Sequence, residues 1–292
     1  MRRFLHALWS LWSSSIKVQV GALILAFFII LAVLHPVIAN IIGHGNDPLA
    51  ISINPPWELP SWQHWLGTDR YGRDILAMTV TALSASLEVG VIAGVLSTVI
   101  GVVIAFTAGY KGGKVDSVLS SITDVFLVVP SFPLLITLSA YSKGVSLFSV
   151  AVILAIFSWP FAARTIRSQV LSLRSRPYVE LAKVTKLNDF EIIFEELMPN
   201  LLPFIGVGFA SASLGSIFAL VGLEVIGLGP SSTLDLGLML NWSQSWGALS
   251  LGAWPIFVAP VVVLALLFFS VNLINIGLEE VYNPRLRKTA GA

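Results

Sequence analysis

Six long apolar stretches constrain the fold of this chain more than any other feature of its sequence. A helix needs about 20 consecutive apolar residues to cross the hydrocarbon region of a bilayer. Stretches of this kind cover residues 18–42, 81–109, 117–141, 145–163, 201–228 and 252–276. The composition agrees, since 56% of the 292 residues are hydrophobic and 11% are charged. The sequence therefore predicts an all-α membrane protein with six transmembrane helices.

Lysine and arginine are distributed unevenly among the segments that join these stretches. With the N-terminus inside, all but three of the 17 basic residues fall on the inner side, the exceptions being Arg70, Arg73 and Lys143. Because positive charge is retained on the cytoplasmic side of membrane helices, we expect both termini and Lys183 in the cytoplasm and Asp235 outside. The net charge of +1 reflects this topology and gives no indication of nucleic-acid binding.

The domain organisation is expected to be simple, because no linker, low-complexity tract or convincing repeat divides the chain. The expected segments, in chain order, are an interfacial or cytoplasmic helix at 1–17, a first transmembrane anchor at 18–42, an extracytoplasmic segment at 43–80, a core membrane domain at 81–284 that contains a loop at 178–199, and a cytoplasmic tail at 285–292.

The loop at 178–199 holds two short amphipathic helical patterns on the predicted inner side. The less polar residues of each recur at helical spacing: Tyr178, Leu181, Ala182 and Thr185 in the first, Phe190, Ile193, Phe194 and Leu197 in the second. Asn188 and Glu191 have the spacing of a capping box, and Leu187 can pack on Ile192 as a hydrophobic staple. Pro199 is expected to end the second helix or to break it soon afterwards.

Such a helix pair at the inner surface of a membrane protein can dock into a partner protein. The alternative is that both helices lie on the lipid surface. Glu191, Glu195 and Glu196 count against this alternative, because an anionic leaflet repels them. We therefore expect the pair to dock.

Several kinds of active chemistry have no signature in the sequence. The chain contains neither a phosphate-binding G-x-x-x-x-G-K-[ST] motif nor H-E-x-x-H, and it contains no cysteine. Its four histidines, His6, His35, His44 and His64, fall in different segments without the spacing of metal ligands. We expect no bound cofactor, no metal and no enzymatic activity in this chain.

Three carboxylates fall within the apolar stretches, where ionisable residues are candidates for function. Glu88 and Glu224 belong to the outer half of the membrane and Asp124 to the inner half. Each could line a substrate path, or could form a structural hydrogen bond with a neighbouring helix. The sequence leaves these two roles open.

Residues 66–77 (LGTDRYGRDILA) form the most distinctive motif outside the spans. The residue types and spacing of this motif predict the start of a charged helix, with Thr68 or Asp69 as the N-cap and ion pairs at i, i+4 spacing. The expected pairs are Asp69–Arg73 and Arg70–Asp74.

As a string, this motif resembles the hallmark of the C-type permease subunits of dipeptide, oligopeptide and nickel ATP-binding-cassette importers. The resemblance continues through residues 109–116 (GYKGGKVD), Gly227-Leu228-Gly229 and residues 277–287 (GLEEVYNPRLR), so that it covers nearly the whole chain in order. It implies a type I importer permease fold in the inner or plasma membrane of a prokaryote.

In this family the loop at 178–199 corresponds to the EAA loop, a helix pair that fits a groove on the ATPase subunit. Glu180 and Ala182 match two of its three letters, Leu181 replaces the middle alanine, and Asp189 and Pro199 match the remainder. Phe190 and Phe194, from the second apolar stripe, are expected to be apolar anchors of this docking surface. Lys186 stands where the family has glycine; if that position has a positive φ, lysine costs on the order of 1 kcal/mol there.

The resemblance also implies the partners of the chain. These are a homologous permease that completes a heterodimer, two cytoplasmic ATPases that use ATP and Mg, an extracytoplasmic solute-binding protein and membrane lipid. A short peptide is the expected substrate, followed by an oligosaccharide, for which Glu88 and Glu224 could accept hydrogen bonds, and then by nickel. The alternative function is a proton-coupled secondary transporter that uses Glu88, Asp124 and Glu224.

Overall fold

A computed structural model describes residues 15–43, 45, 47, 50–141, 146–230 and 233–282 of the chain. Its architecture is α-helical. The helices are α1 (Ile16–Val33), α2 (His35–Ile42), α3 (Ile75–Lys111), α4 (Gly113–Val128), α5 (Ser131–Tyr141), α6 (Leu147–Leu173), α7 (Pro177–Val184), α8 (Asp189–Val225), α9 (Leu236–Ser245) and α10 (Pro255–Tyr282). The tail predicted at 285–292, most of the helix predicted at 1–17, and His6, His44 and Lys143 lie outside the described residues.

Helices α1, α3, α6, α8 and α10 are each long and apolar enough to cross a membrane. The structure therefore has five such helices, and the predicted six if α4 and α5, which are bent by 71° at a short break, count together as one span. The bend falls at Val129, whose extended backbone (ψ 123°) ends α4 directly before Pro130. The residue before a proline is disfavoured in the helical conformation, so Pro130 accounts for the break.

Several spans extend beyond their apolar stretches. The fourth stretch ends at residue 163, but α6 continues to Leu173 and carries Arg164 and Arg167. The second stretch starts at residue 81, but α3 begins at Ile75. Hydrophobicity marks where the hydrocarbon region begins and ends, whereas backbone hydrogen bonding continues until a cap or a turn interrupts it.

The chain divides into two units, one formed by Met1–Glu88 with Leu220–Ala292 and the other by Val89–Ala219. In the first unit α1 packs along α10 at positions that tolerate no side chain. A Cβ atom built on Gly21 would lie 2.5 Å from the carbonyl oxygen of Ser270, and one on Gly277 would lie 2.6 Å from Val18. Lys17 and Glu280 add an ion pair between the two helices.

In the second unit α3, α6, α7 and α8 share one hydrophobic core. Its fully or nearly fully buried members are Ala105, Phe106, Ala162, Ile166, Val170, Val179, Ala182, Ile192, Leu197 and Leu201. A Cβ atom on Gly101 would lie 3.1 Å from that of Ala162, so glycine lets α3 approach α6 closely. The 177–199 helix pair, made of α7 and the start of α8, is therefore built into the core of the spans.

The motif at 66–77 folds differently from the predicted helix start. The helix begins only at Ile75, where Asp74 Oδ1 accepts a hydrogen bond from the N–H of Ala77 at 2.9 Å. The residues before it form a loop because Gly67 and Gly72 adopt positive φ angles of 76° and 75°. The capping prediction for Thr68 or Asp69 is wrong for this reason.

Only one of the two ion pairs predicted for this motif forms. Asp69 and Arg73 are both buried, and Arg73 Nε donates to Asp69 Oδ2 at 2.6 Å. Arg70 is exposed, whereas Asp74 is hydrogen-bonded to His64 Nδ1 at 2.8 Å. The loop turns Arg70 away from Asp74, and a histidine from earlier in the chain takes its place.

Aromatic side chains enclose Arg73 on its other sides. Its guanidinium carbon lies 4.4 Å from the centre of the Trp242 ring, and Tyr71 and Trp246 also face it. Trp242 lies in α9 and Trp246 directly follows its last residue, so this cation–π cluster fastens the loop before α3 to the end of α9. Both tryptophan side chains are half-buried, and their rings pack against this loop.

Candidate functional site

The first helix of the 177–199 pair has well-defined ends. Pro177 occupies its first position, which suits the fixed φ angle of proline. At its C-terminus, Lys186 N donates to Lys183 O at 3.1 Å and Leu187 N donates to Ala182 O at 3.2 Å. This pair of bonds is a Schellman motif, which needs a left-handed residue at the position of Lys186.

Lys186 adopts that left-handed conformation, with a φ of 62°. The position therefore does have a positive φ, as the comparison with the family's glycine suggested. The side chain of Lys186 is exposed and carries no compensating contact among the hydrogen bonds and ion pairs of the described residues. The turn keeps its geometry with lysine at an energetic cost.

The second helix begins at the predicted cap. Asn188 Oδ1 accepts from Glu191 N at 2.9 Å, and Asn188 N donates to Glu191 Oε2 at 2.7 Å, which completes a capping box. Leu187 packs against the core cluster that includes Ile192. The predicted capping box is confirmed, and the packing of Leu187 is consistent with the predicted staple.

The prediction that Pro199 ends or breaks this helix is wrong, because α8 continues to Val225. A proline ring collides with the carbonyl of the residue four positions earlier, which here is Glu195. Glu195 lies in a π-helical turn, Ile192–Leu197, whose hydrogen bonds span one more residue than those of an α-helix. The wider turn accommodates Pro199, so the docking segment and the fifth span form one helix.

The two predicted apolar stripes separate into a buried side and an exposed side. Ala182 and Leu197 are buried in the core, together with Val179 and Ile192. The exposed apolar face of the pair consists of Tyr178, Leu181, Val184, Phe190 and Phe194. Phe190 is 74% exposed and Phe194 is 56% exposed, so these rings are available to a partner.

Charged residues flank the exposed apolar face. Glu180 is exposed on α7. Asp189 accepts a hydrogen bond from the hydroxyl of Tyr110 at 2.9 Å, and Lys183 lies 5.6 Å from the centre of the Tyr110 ring. Sequence reasoning misses Tyr110, which ties the helix pair to the end of α3; its place within GYKGGKVD is the one signal that could have indicated it.

The carboxylate predicted in the inner half of the membrane has a basic partner. Asp124 on α4 forms an ion pair with Arg164 on α6, and Asp116 accepts two hydrogen bonds from Arg167, at 2.5 and 2.6 Å. A cavity of about 110 Å³ lies beside these pairs and is lined by Asp124, Arg164 and Arg167 among others. Both acidic residues of α4 are therefore paired with the two arginines of α6.

Glu88 and Glu224 are in different surroundings and do not contact each other. Glu88 is exposed on α3. Glu224 is only 2% exposed, and its carboxyl group contacts that of Asp235, which sequence reasoning did not connect with it. Of the two carboxylates predicted to line a substrate path, one faces outward and the other is buried within its own unit.

Comparisons with known proteins agree on one family. Residues 97–288 match the model of the family described as "Binding-protein-dependent transport system inner membrane component". The chain belongs to this family. It is 30% identical to the oligopeptide transport system permease protein OppC of Bacillus subtilis, over 92% of this chain and 86% of that protein. The dipeptide transport system permease protein DppC of the same organism is also 30% identical, over 92% and 82%.

A solved structure supports the fold. An inward-facing structure of the MetNI methionine ABC transporter contains a chain that superposes with a TM-score of 0.55 at 17% identity, covering 70% of this chain and 97% of that one. The predicted resemblance and the type I permease fold are confirmed. The chain is thus a multi-pass importer permease, whose family implies ATPase and solute-binding subunits, and nothing in these comparisons supports a proton-coupled carrier.

Proposed function

We propose that this chain is one of two homologous permeases that form the path of an ATP-driven importer for short peptides. The observation that carries the proposal is the exposed apolar face on a helix pair whose other side is buried in the core of the spans. The names of the permeases OppC and DppC, which match over most of their length, support a peptide as the substrate.

The exposed apolar face is the proposed contact with an ATPase subunit. Phe190 and Phe194 are its aromatic anchors, since buried aromatic side chains contribute strongly to interfaces. Glu180 provides a charge at the edge of this contact, and Asp189 holds the end of α3 through Tyr110. ATP and Mg would bind to the ATPases, and the described residues of this chain contribute the coupling surface.

Coupling follows from the way in which the pair is packed. Val179, Ala182, Ile192 and Leu197 anchor it among α3, α6 and α8, so the pair cannot move without displacing these helices. The Schellman turn at Lys186 and the capping box at Asn188 fix the angle between its two helices. Ala182 thus acts through packing, while Lys186 and Pro199 act through backbone geometry.

The same proposal places both termini and Lys183 in the cytoplasm and the apolar outer surfaces of the spans against lipid. Of the two outer carboxylates, Glu88 has the exposed side chain and is the candidate for the substrate path. The burial of Glu224 removes half of the basis for an oligosaccharide as the substrate.

Copurification of the importer with its ATPases tests the docking surface. We expect Phe190→Ala to weaken ATPase binding by about 2 kcal/mol, or roughly 30-fold, while Glu180→Lys and Asp189→Lys uncouple ATP hydrolysis from uptake. Phe148→Ala is the matched control. Phe148 is similarly exposed, but it lies at the N-terminal end of α6, whereas the helix pair follows the C-terminal end of that helix. The proposal fails if the three variants bind the ATPases and transport peptide as the control does.

A further inference from the structure

Two buried carboxyl groups at the end of α8 have no role in the proposed transport mechanism. Glu224 is 2% exposed and Asp235 is fully buried, and their carboxyl groups are in hydrogen-bonding contact. Burying two such groups together is costly unless their charges are neutralised. The pair therefore needs either a neighbouring cation or a bound proton.

The hydrogen-bond partners of Asp235 account for only one of its two oxygens. Oδ1 accepts from Gly237 N at 2.7 Å and from Leu238 N at 3.1 Å, and thereby caps α9. The next donor, Leu236 N, is directed to Ser86 Oγ at 3.0 Å instead. No backbone N–H group and no donor side chain of the described residues donates a hydrogen bond to Oδ2. Two backbone N–H groups at a helix start favour the ionised form of this carboxyl.

The carboxyl of Glu224 lies in a space that two glycines leave free. A Cβ atom on Gly229 would lie 2.2 Å from its Cδ, and one on Gly237 would lie 2.8 Å from its Cβ. Glu224 Oε1 likewise accepts no hydrogen bond from a backbone N–H group or a donor side chain in the described part of the chain. The pocket is thus shaped around this side chain rather than open to a substrate.

Charged groups on the neighbouring elements are already engaged elsewhere or lie away from the pair. Helix α9 has no charged residue, and Glu280 of α10 pairs with Lys17. Arg73, at the Trp242 ring of α9, is bonded to Asp69, and Glu88 of α3 is exposed. Within the described residues no lysine, arginine or histidine pairs with Glu224 or Asp235, and no group of three metal-ligating side chains is found.

Two carboxylate groups are acceptors only, so they can bond to each other only if one of them carries a proton. We propose that Glu224 and Asp235 hold one proton between them, carried by Glu224, and that this bond fastens the start of α9 to the end of α8. Glu224 is the donor because Asp235 already accepts two backbone hydrogen bonds. This inference does not depend on the substrate or on the ATPase contact.

The shared proton makes the folded state sensitive to alkaline pH. Asp235 is ionised and the pair is buried, so a second negative charge beside it is disfavoured, and Glu224 keeps its proton in the range where an exposed carboxyl group is fully ionised. Because the folded protein then binds a proton that the unfolded chain has released, stability falls as the pH rises above the ordinary carboxyl range. Once the proton leaves, two adjacent carboxylates repel each other.

The melting temperature of the assembled importer at different pH values tests this inference. We expect the wild-type Tm, followed by tryptophan fluorescence, to fall by about 3 °C or more between about pH 6 and about pH 9. Glu224→Gln places an amide donor where the proton was, so its Tm should lack this part of the fall. Glu88→Gln is the matched control and should show the same pH dependence of Tm as the wild type, because Glu88 is exposed and has no hydrogen-bond or ion-pair partner among the described residues.

An equal pH dependence in Glu224→Gln and the wild type would overturn the proposal. If that variant fails to assemble, infrared spectra of the wild-type importer at the two pH values decide instead. The shared proton is supported if the C=O stretching band of a buried carboxylic acid is present at the lower pH and lost at the higher pH, in both the wild type and Glu88→Gln. Spectra without such a band at the lower pH contradict it.

Discussion

Replacing Lys186 by glycine should stabilise this protein, although it removes a whole side chain. The residue has a φ of 62°, and its side chain is exposed, so its removal costs no packing. The left-handed conformation costs an L-residue about 1–2 kcal/mol. Glycine also makes the unfolded chain more flexible, and this lowers the free energy of unfolding by about 0.4–1 kcal/mol. The net expectation is a gain of about 0.8 kcal/mol, or about 2 °C in Tm.

Two further variants separate backbone strain from other effects of this change. Lys186→Ala removes the same charge but keeps a Cβ atom at the left-handed position, so it should not gain stability. Lys183→Gly places glycine in the last turn of α7 and should lose about 1 kcal/mol. Thermal unfolding of the four proteins, followed by tryptophan fluorescence, gives the comparison. A Tm of Lys186→Gly no higher than that of Lys186→Ala would refute the strain argument.

Three other predictions address the loop before α3, the topology and the core. Asp69→Asn leaves Arg73 buried without its counterion and should destabilise the protein by about 3–5 kcal/mol, measured by chemical denaturation. An impermeant thiol reagent added to whole cells should label Arg70→Cys but not Lys183→Cys; labelling of the latter would contradict the N-in topology, and the absence of native cysteine keeps the assay clean. Leu197→Ala should cost about 2–5 kcal/mol, because Leu197 is fully buried in the core beneath the helix pair; a smaller loss of Tm than about 4 °C would contradict that burial.

The helical character of the spans could be predicted because a lipid environment leaves the backbone few alternatives to helix. Their ends could not, as α6 shows by continuing ten residues past its predicted end to Leu173. The apolar stretch indicates which residues lie in the hydrocarbon region of the bilayer. The helix itself ends at a local turn, such as the one before Pro177.

Predictions succeeded where the interaction is local in sequence. The capping box of Asn188 and Glu191 involves residues within three positions of one another. Predictions failed where a distant or irregular partner intervenes. The i, i+4 spacing of Arg70 and Asp74 indicated an ion pair, but Gly72 turns the chain and His64 binds Asp74.

The faces of the helix pair show a second limit of sequence patterns. Both Val179 and Leu181 are apolar, and periodicity alone does not say which of them faces the core. The π turn before Pro199 then shifts the register, so that Leu197 is buried while Phe194 is exposed. For Glu224, the pattern located a carboxyl in a span, but its contact with Asp235 depends on a loop and two glycines that bring α9 back to α8.

The π turn that accommodates Pro199 has a mechanical consequence. Because the π turn accommodates Pro199, the helix continues past it, and the first proline without such a turn is Pro203. The exposed phenylalanines are thus joined by continuous helix to Leu201, which is buried in the core. A hinge at Pro199 would have absorbed a tilt of the docking segment within one turn. A rotation imposed on Phe190 and Phe194 is instead carried directly into the core of the spans.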